Sequence, residues 1–209
     1  METMKVRLHF IESVLGSLPG NDDIYRDYIA SKAPDAATVE DEIAAIGVEG
    51  KVEKGKTVFA KKADGTPFVY DYHIKGFFKG ACGFLRSADD SLSAEIKAYK
   101  KKIDGLIFVT PRQIEFHDYG AIDECQRPLR AATPMGERVS IAISEEIPEG
   151  AWIEFEIHLL AKKDRQYIEE WLDFGRWNGL SQWRNSGKGR FLWEELDASG
   201  KRIGGNYTE

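Results

Sequence analysis

The clearest pattern in the chain lies between Trp152 and Leu160, where Ile153, Phe155, Ile157 and Leu159 alternate with Glu154, Glu156 and His158. A two-residue period of this kind marks a strand with one buried and one solvated face. The same period runs from Lys5 to Phe10, with Val6, Leu8 and Phe10 opposite Lys5, Arg7 and His9, and through Val139, Ile141 and Ile143. Further extended segments are predicted at about 51–61 and 68–72, joined through the Asp64-Gly65 turn, and at 106–109, 113–116 and 190–196. Helical spacing predicts a helix over His73–Arg86, with Phe77, Phe78, Ala81, Phe84 and Leu85 on one face. Its glycines, Gly76, Gly80 and Gly83, suggest close packing against something. Other helices are predicted at about 21–33 (N-capped by Asn21), 38–46 (closed by Gly47) and 94–102, and after Asp164, an N-cap for Tyr167, Ile168, Trp171 and Leu172 before Gly175. A polar tail follows the last strand.

This order predicts a single α+β domain over residues 1–209 with a helical insertion at about 21–47. It contains the split βαβ unit of a ferredoxin-like (RRM-like) βαββαβ core, carrying inserted helices and a hairpin. The size, 209 residues with 42% hydrophobic side chains, is enough for a core that needs no staples. Cys82 and Cys125 stand apart from each other and from any Cys/His cluster, which argues for a reducing, cytoplasmic setting and against a structural zinc site. No apolar run reaches the roughly 18 residues that a membrane span requires.

The net charge of −6 excludes coating of nucleic acid through bulk charge, so any anion site has to be local. The segment from Gly175 to Arg190 is such a place. It carries Arg176, Arg184, Lys188 and Arg190, the rings of Trp177 and Trp183, four glycines and no acidic residue. Cations for phosphate, flat rings for bases and bare backbone for close approach are the groups that single-stranded nucleic acid needs. It is not a nucleotide P-loop, because Gly187-Lys188-Gly189 lacks the following Ser or Thr. Two further basic stretches add candidates: Arg127 and Arg130, within a Pro/Arg-rich stretch at 126–138 that reads as a loop ordered on binding, and His73, Lys75 and Lys79 at a helix start.

Three of these segments resemble a known family. The run from His73 to Ala81 (His-Ile-Lys-Gly-Phe-Phe-Lys-Gly-Ala) is similar to the segment that opens the first core helix of the RAMP superfamily, the repeat-associated mysterious proteins of CRISPR backbone and processing subunits. The run from Gly179 to Phe191 resembles that superfamily's glycine-rich loop between the last helix and last strand. Pro148-Glu149-Gly150 before Trp152 resembles its step into the third core strand. The chain departs from the pattern at Gly76-Phe77-Phe78, where small hydroxyl residues are usual, and in the insertion from Asn21 to Ile46. The resemblance implies a ferredoxin-like core that binds RNA along its backbone, with the helix lysines and the glycine-rich loop near phosphates. It also implies side-by-side self-assembly along nucleic acid, or protein partners in a CRISPR-type complex.

The expected activity is non-catalytic binding of single-stranded RNA, in preference to DNA, with no cofactor and no metal. Phosphate contacts fall to Lys75, Lys79, Arg184, Lys188 and Arg190, with Arg176 beside them. Base stacking falls to Trp177 or Trp183, and loop closure to Arg127 and Arg130. One alternative is a protein-interaction module or inhibitor acting on a nucleic-acid-binding complex, whose Glu145, Glu146, Glu149, Glu154 and Glu156 would imitate phosphates. A further alternative is a metal-independent endoribonuclease using His9 or His73. No acyl-hydrolase motif is present.

Overall fold

A computed structural model describes residues 1–20, 56–133 and 136–208, and the side chains of these outside 128–141. The helices expected near 21–33 and 38–46, and with them the helical insertion, lie outside the described residues.

The larger sheet is built around β1 (Glu2–Phe10), whose burial alternates along its length. Met4, Val6, Leu8 and Phe10 enter the core, while Thr3, Lys5, Arg7 and His9 stand on the opposite face. On one side β1 pairs antiparallel with β11 (Trp152–Leu159), and on the other with β12 (Phe191–Leu196). Beyond β11 lie β7 (Ile107–Thr110) and β8 (Gln113–His117), antiparallel to it and interrupted at Pro111-Arg112. Between β1 and β7 the chain forms α1 (Asp71–Leu85), and between β11 and β12 it forms α3 (Arg165–Phe174). Strand order β12-β1-β11-β7/β8 with these two helices is the interleaved double split βαβ of a ferredoxin-like fold. The fold class is therefore α+β, with a ferredoxin-like core.

Both helices bury apolar stripes in a common core with the inward residues of the sheet: Ile74, Phe77, Phe78, Ala81 and Cys82 from α1, and Ile168, Trp171 and Leu172 from α3. Phe84, which the spacing puts on the buried face of α1, is instead 59% exposed. Two hairpin strands, β5 (Ala60–Lys61) and β6 (Pro67–Tyr70), extend the sheet next to β8, with the expected turn between them closed by Gly65 N–H to Lys62 O. A second sheet contains β2 (Val14–Leu15), β3 (Leu18–Pro19), β4 (Lys56–Val58) and the long pair β9 (Asp123–Thr133) and β10 (Gly136–Ile147).

Four expectations are corrected. The stretch 126–138 is not a loop, because β9 pairs with β10 from Asp123↔Glu146 to Thr133↔Gly136. Pro128 is tolerated there because, among the described residues, β9 pairs with β10 alone, so a missing N–H breaks no second ladder. The expected 94–102 helix is a 3-10 turn over Leu92–Glu95 followed by α2 (Tyr99–Leu106), with Ala98 in the left-handed region at φ 51. Tertiary bonds hold the break: Glu170 accepts from the backbone of Leu92 and Ser93 and from Ser93 Oγ, which also accepts from the Trp171 indole. Asp164 precedes α3 but makes no side-chain cap; it is buried and ion-paired to Lys102 at 2.7 Å. The polar tail folds back as β13 (Arg202–Gly205) on β12, after a turn in which Asp197 accepts from the Ser199 and Lys201 backbone. Among the described residues, no helix is long and apolar enough to cross a membrane.

Candidate nucleic-acid interface

The glycine-rich segment between α3 and β12 is held shut by its own backbone. Leu180 N–H donates to Gly189 O at 2.9 Å, and Gly189 N–H donates to Ser13 O at 2.8 Å. A Cβ at Gly179 would overlap the Gly189 carbonyl, and one at Gly189, which sits at φ +71, would overlap the Leu180 carbonyl. These two glycines are required by chain-on-chain contact rather than by a ligand. Ser181 Oγ donates to Leu15 O and Gln182 Nε2 to Gly16 O, at 3.0 Å for the latter, so the loop is fastened to the β2–β3 connection.

Fastening the loop there puts Leu180, Ser181 and Arg184 across from the first two turns of α1. Between them lies a cleft of about 610 Å³, lined also by Ser17, Asp71, Tyr72, His73, Lys75, Gly76, Phe77, Lys79, Asp104 and Arg112. Phe77 and Leu180, each almost fully buried, form its apolar floor. Gly76 has open space where a side chain would project, and the Gly80 Cα faces the Arg184 guanidinium, with Nη1 3.3 Å from where a Cβ would be. The close approach expected of the α1 glycines is thus made at Gly80 to Arg184 and at Gly83 to the Tyr99 hydroxyl.

Four cations line the cleft against two carboxylates. Lys79 is paired with Asp104 at 2.6 Å; Lys75 donates to the Asp104 carbonyl at 3.3 Å and lies 5.0 Å from the Phe108 ring centre. Burial lowers the Lys75 pKa, and the nearby Asp104 and Asp71 oppose that shift. Burial likewise raises the Asp71 pKa, against the pull of Arg112 3.8 Å away. Arg184 makes no ion pair with any described residue, and the first turn of α1 adds the positive end of its dipole. Among the described residues, the cleft's lining keeps a net positive charge in a concave site that has an apolar floor.

The other sequence candidates are placed elsewhere. Lys188 is committed to Glu146 at 2.5 Å and to Ser13 Oγ at 2.6 Å; burial pushes the Glu146 carboxyl up, but Lys188 and Ser13 outweigh it and hold it low. Arg127 lies over the Trp183 ring at 5.4 Å, which joins two candidates but covers one face of the indole. Arg130 sits on β9 opposite Val139. Arg190 lies beside Gly187, its Nε buried without a hydrogen bond, and Trp177, 67% exposed, follows α3 beside exposed Arg176.

The two histidines considered for catalysis lie on opposite sides of the large sheet. His9, on the face away from the helices, has Nε2 3.0 Å from Glu194 Oε1 and its ring stacked 3.7 Å from that of Tyr207. His73 lines the cleft, where burial lowers its pKa to about 4 and Nδ1 accepts from Tyr70 N–H at 3.1 Å. It completes the capping box of α1. Sequence reading did not single out Ser17, Asp71, Tyr72, Asp104 or Arg112. Their common signal is topological, since four separate segments meet at the start of α1.

No family model and no curated protein matches the chain. Among solved structures it is similar to a chain of the cryo-EM structure of the Type III-B Cmr-beta bound to cognate target RNA. The identity is 11% and the TM-score 0.44; the match covers 94% of this chain and 60% of that one. This chain therefore spans about 60% of the length of the chain it matches.

Proposed function

We propose that this protein binds single-stranded nucleic acid, RNA in preference to DNA, without transforming it, in the manner of a RAMP-type CRISPR backbone subunit. The observation that carries the reading is the convergence of Lys75, Lys79 and Arg184 on one cleft between α1 and the glycine-rich loop. An anionic backbone gains there from the net positive charge of the lining, in which Arg184 has no carboxylate partner among the described residues, and the loop is already ordered, so little conformational entropy is lost on binding. Arg176 and Trp177, an exposed cation and ring after α3, and Arg127, Arg130, Trp183, Lys188 and Arg190, outside the cleft lining, are further candidate contacts for a strand that runs beyond the cleft. The assembly is one cytoplasmic domain with an insertion near 21–47, multiplying along the strand or joining protein partners of a CRISPR-type complex.

The test is a fluorescence-anisotropy titration with labelled single-stranded RNA and DNA of one sequence at several salt concentrations, followed by a denaturing gel. The expected result is salt-dependent binding, tighter for RNA, with the RNA left whole. Arg184→Ala is expected to weaken binding about tenfold and to reduce the salt slope by about 0.7 for one lost phosphate contact. No binding at low salt would reject the reading. Size exclusion with and without RNA tests assembly, and a monomer in both would remove that part.

A further inference from the structure

The cleft holds a neutral donor that its cations obscure. His73 Nδ1 lies 3.1 Å from the backbone N–H of Tyr70, and a backbone N–H can only donate. Nδ1 therefore carries no proton, and in the neutral ring the proton resides on Nε2. Nε2 faces Ser17 Oγ at 3.2 Å, so His73 donates and the Ser17 oxygen accepts. The hydroxyl proton of Ser17 then has no acceptor among the described residues, while Ser17 itself lines the cleft with Lys75 and Arg184. The burial that keeps His73 unprotonated at neutral pH fixes this direction.

The backbone around Ser17 is held from both sides. Gly16 N–H donates to Glu145 O at 2.8 Å, and Gly16 O accepts from Gln182 Nε2 at 3.0 Å and Ser144 Oγ at 3.1 Å. Gly16 also packs so tightly on Val58 that a Cβ would overlap its backbone. Leu18 pairs with Val58 directly after it. A hydroxyl held this way is a pre-oriented donor.

We infer that Ser17 is a ligand-contacting residue whose hydroxyl donates to a non-bridging phosphate oxygen of the bound strand, with His73 as the positioning residue that turns it outward. This inference rests on the cleft being the nucleic-acid site. Phosphate is the acceptor that suits a donor placed beside Lys75 and Arg184 in a net positive cleft, because a hydrogen bond to a charged oxygen is about twice as strong as one to a neutral oxygen. His73 is then excluded as a general acid or base, since one nitrogen is used by the helix cap and the other by Ser17.

The experiment compares wild type, Ser17→Ala and Arg184→Ala by anisotropy with labelled single-stranded RNA and DNA of one sequence across a salt series, after thermal melts establish that each variant is folded. Ser17→Ala is expected to bind about tenfold more weakly at every salt concentration with an unchanged salt slope, because a hydroxyl displaces no counterion, and to lose equally on RNA and DNA. His73→Leu is expected to show the same loss, most of it restored in His73→Gln, whose amide can accept from Tyr70 and donate to Ser17. Nitrogen-correlated NMR of the wild type is expected to place the His73 proton on Nε2. Wild-type affinity in Ser17→Ala beside a weakened Arg184→Ala would overturn this inference and leave the binding site standing. A loss confined to RNA would overturn the phosphate assignment, and a proton on Nδ1 would overturn the role of His73. Unchanged affinity in both Ser17→Ala and Arg184→Ala would remove the cleft itself.

Discussion

Two regions of this molecule look alike in sequence and differ in charge balance. The open face of the large sheet carries Lys5, Arg7 and His9, and the cleft carries Lys75, Lys79 and Arg184. On the sheet, register places Arg7 between Glu154 on β11 and Glu194 on β12. Arg7 meets both carboxylates, at 2.8 and 3.2 Å, while Lys5 meets Glu154 at 2.8 Å. Arg7 also lies 4.4 Å from the Trp152 ring centre, and that indole is stacked on His117. Lys5, Arg7 and His9 each have a carboxylate partner supplied by a neighbouring strand. In the cleft, the described lining divides two carboxylates among four cations, and Arg184 has none among the described residues. A basic run keeps net positive charge only where the fold brings too few carboxylates to meet it.

The glycine-rich loop beside the cleft is fixed by backbone contact, and the largest expected effect lies there. Gly189→Ala forces a side chain onto φ +71 and into the Leu180 carbonyl. Denaturant unfolding is expected to show a loss of roughly 3 kcal/mol or more, with RNA binding weakened in parallel. Retention of both would mean that the loop is not built on this contact.

A comparable effect comes from pH. The pKa of His73 falls from 6.5 to about 4 on folding, because burial disfavours the charged ring. Between those values the unfolded chain binds a proton that the folded one does not, so stability falls as pH drops from about 6.5 towards 4 and is fully present above. The loss approaches roughly 3 kcal/mol at the acid end, and His73→Gln is expected to flatten that part of the profile. Equal slopes in the two proteins would contradict the buried neutral ring.

On the sheet face burial raises the Glu154 pKa, but Lys5 and Arg7 outweigh it and hold the carboxyl low, so its share of stability is present above about 4.5 and lost as pH falls below. The smallest effect belongs here. Arg7→Ala is expected to cost about 1 kcal/mol in unfolding, limited by solvent screening of a partly exposed pair, and to leave RNA affinity as it was. Weakened RNA binding in this variant would move the interface to the open face.

The elements of the core were legible because their signals are local. The alternation of Val6, Leu8 and Phe10, the clean period of Ile153 to Leu159, and Ile168, Trp171 and Leu172 all appear in the structure on the expected buried faces. The 126–138 stretch misled because proline and arginine count against a strand locally, while the pairing that rescues it belongs to β10. The final hairpin was readable from Asp197 and Gly200, a turn whose Gly200 sits at φ +81, but the polar composition of the tail hid it. Of the site, Lys75, Lys79 and Arg184 were visible as cations. Which cations remain uncompensated depends on Glu146, Glu154 and Glu194, which lie far away in the chain. Ser17 was invisible, since a lone serine between Gly16 and Leu18 gains meaning only from the imidazole that faces it.

A side-by-side salt titration of Arg184→Ala and Arg7→Ala with the same labelled single-stranded RNA separates the cleft from the sheet face. Arg184→Ala is expected to lose about tenfold in affinity and about 0.7 in the salt slope, while Arg7→Ala follows the wild-type line. The reverse assignment, with Arg7→Ala weakened and Arg184→Ala on the wild-type line, would contradict the cleft as the nucleic-acid site.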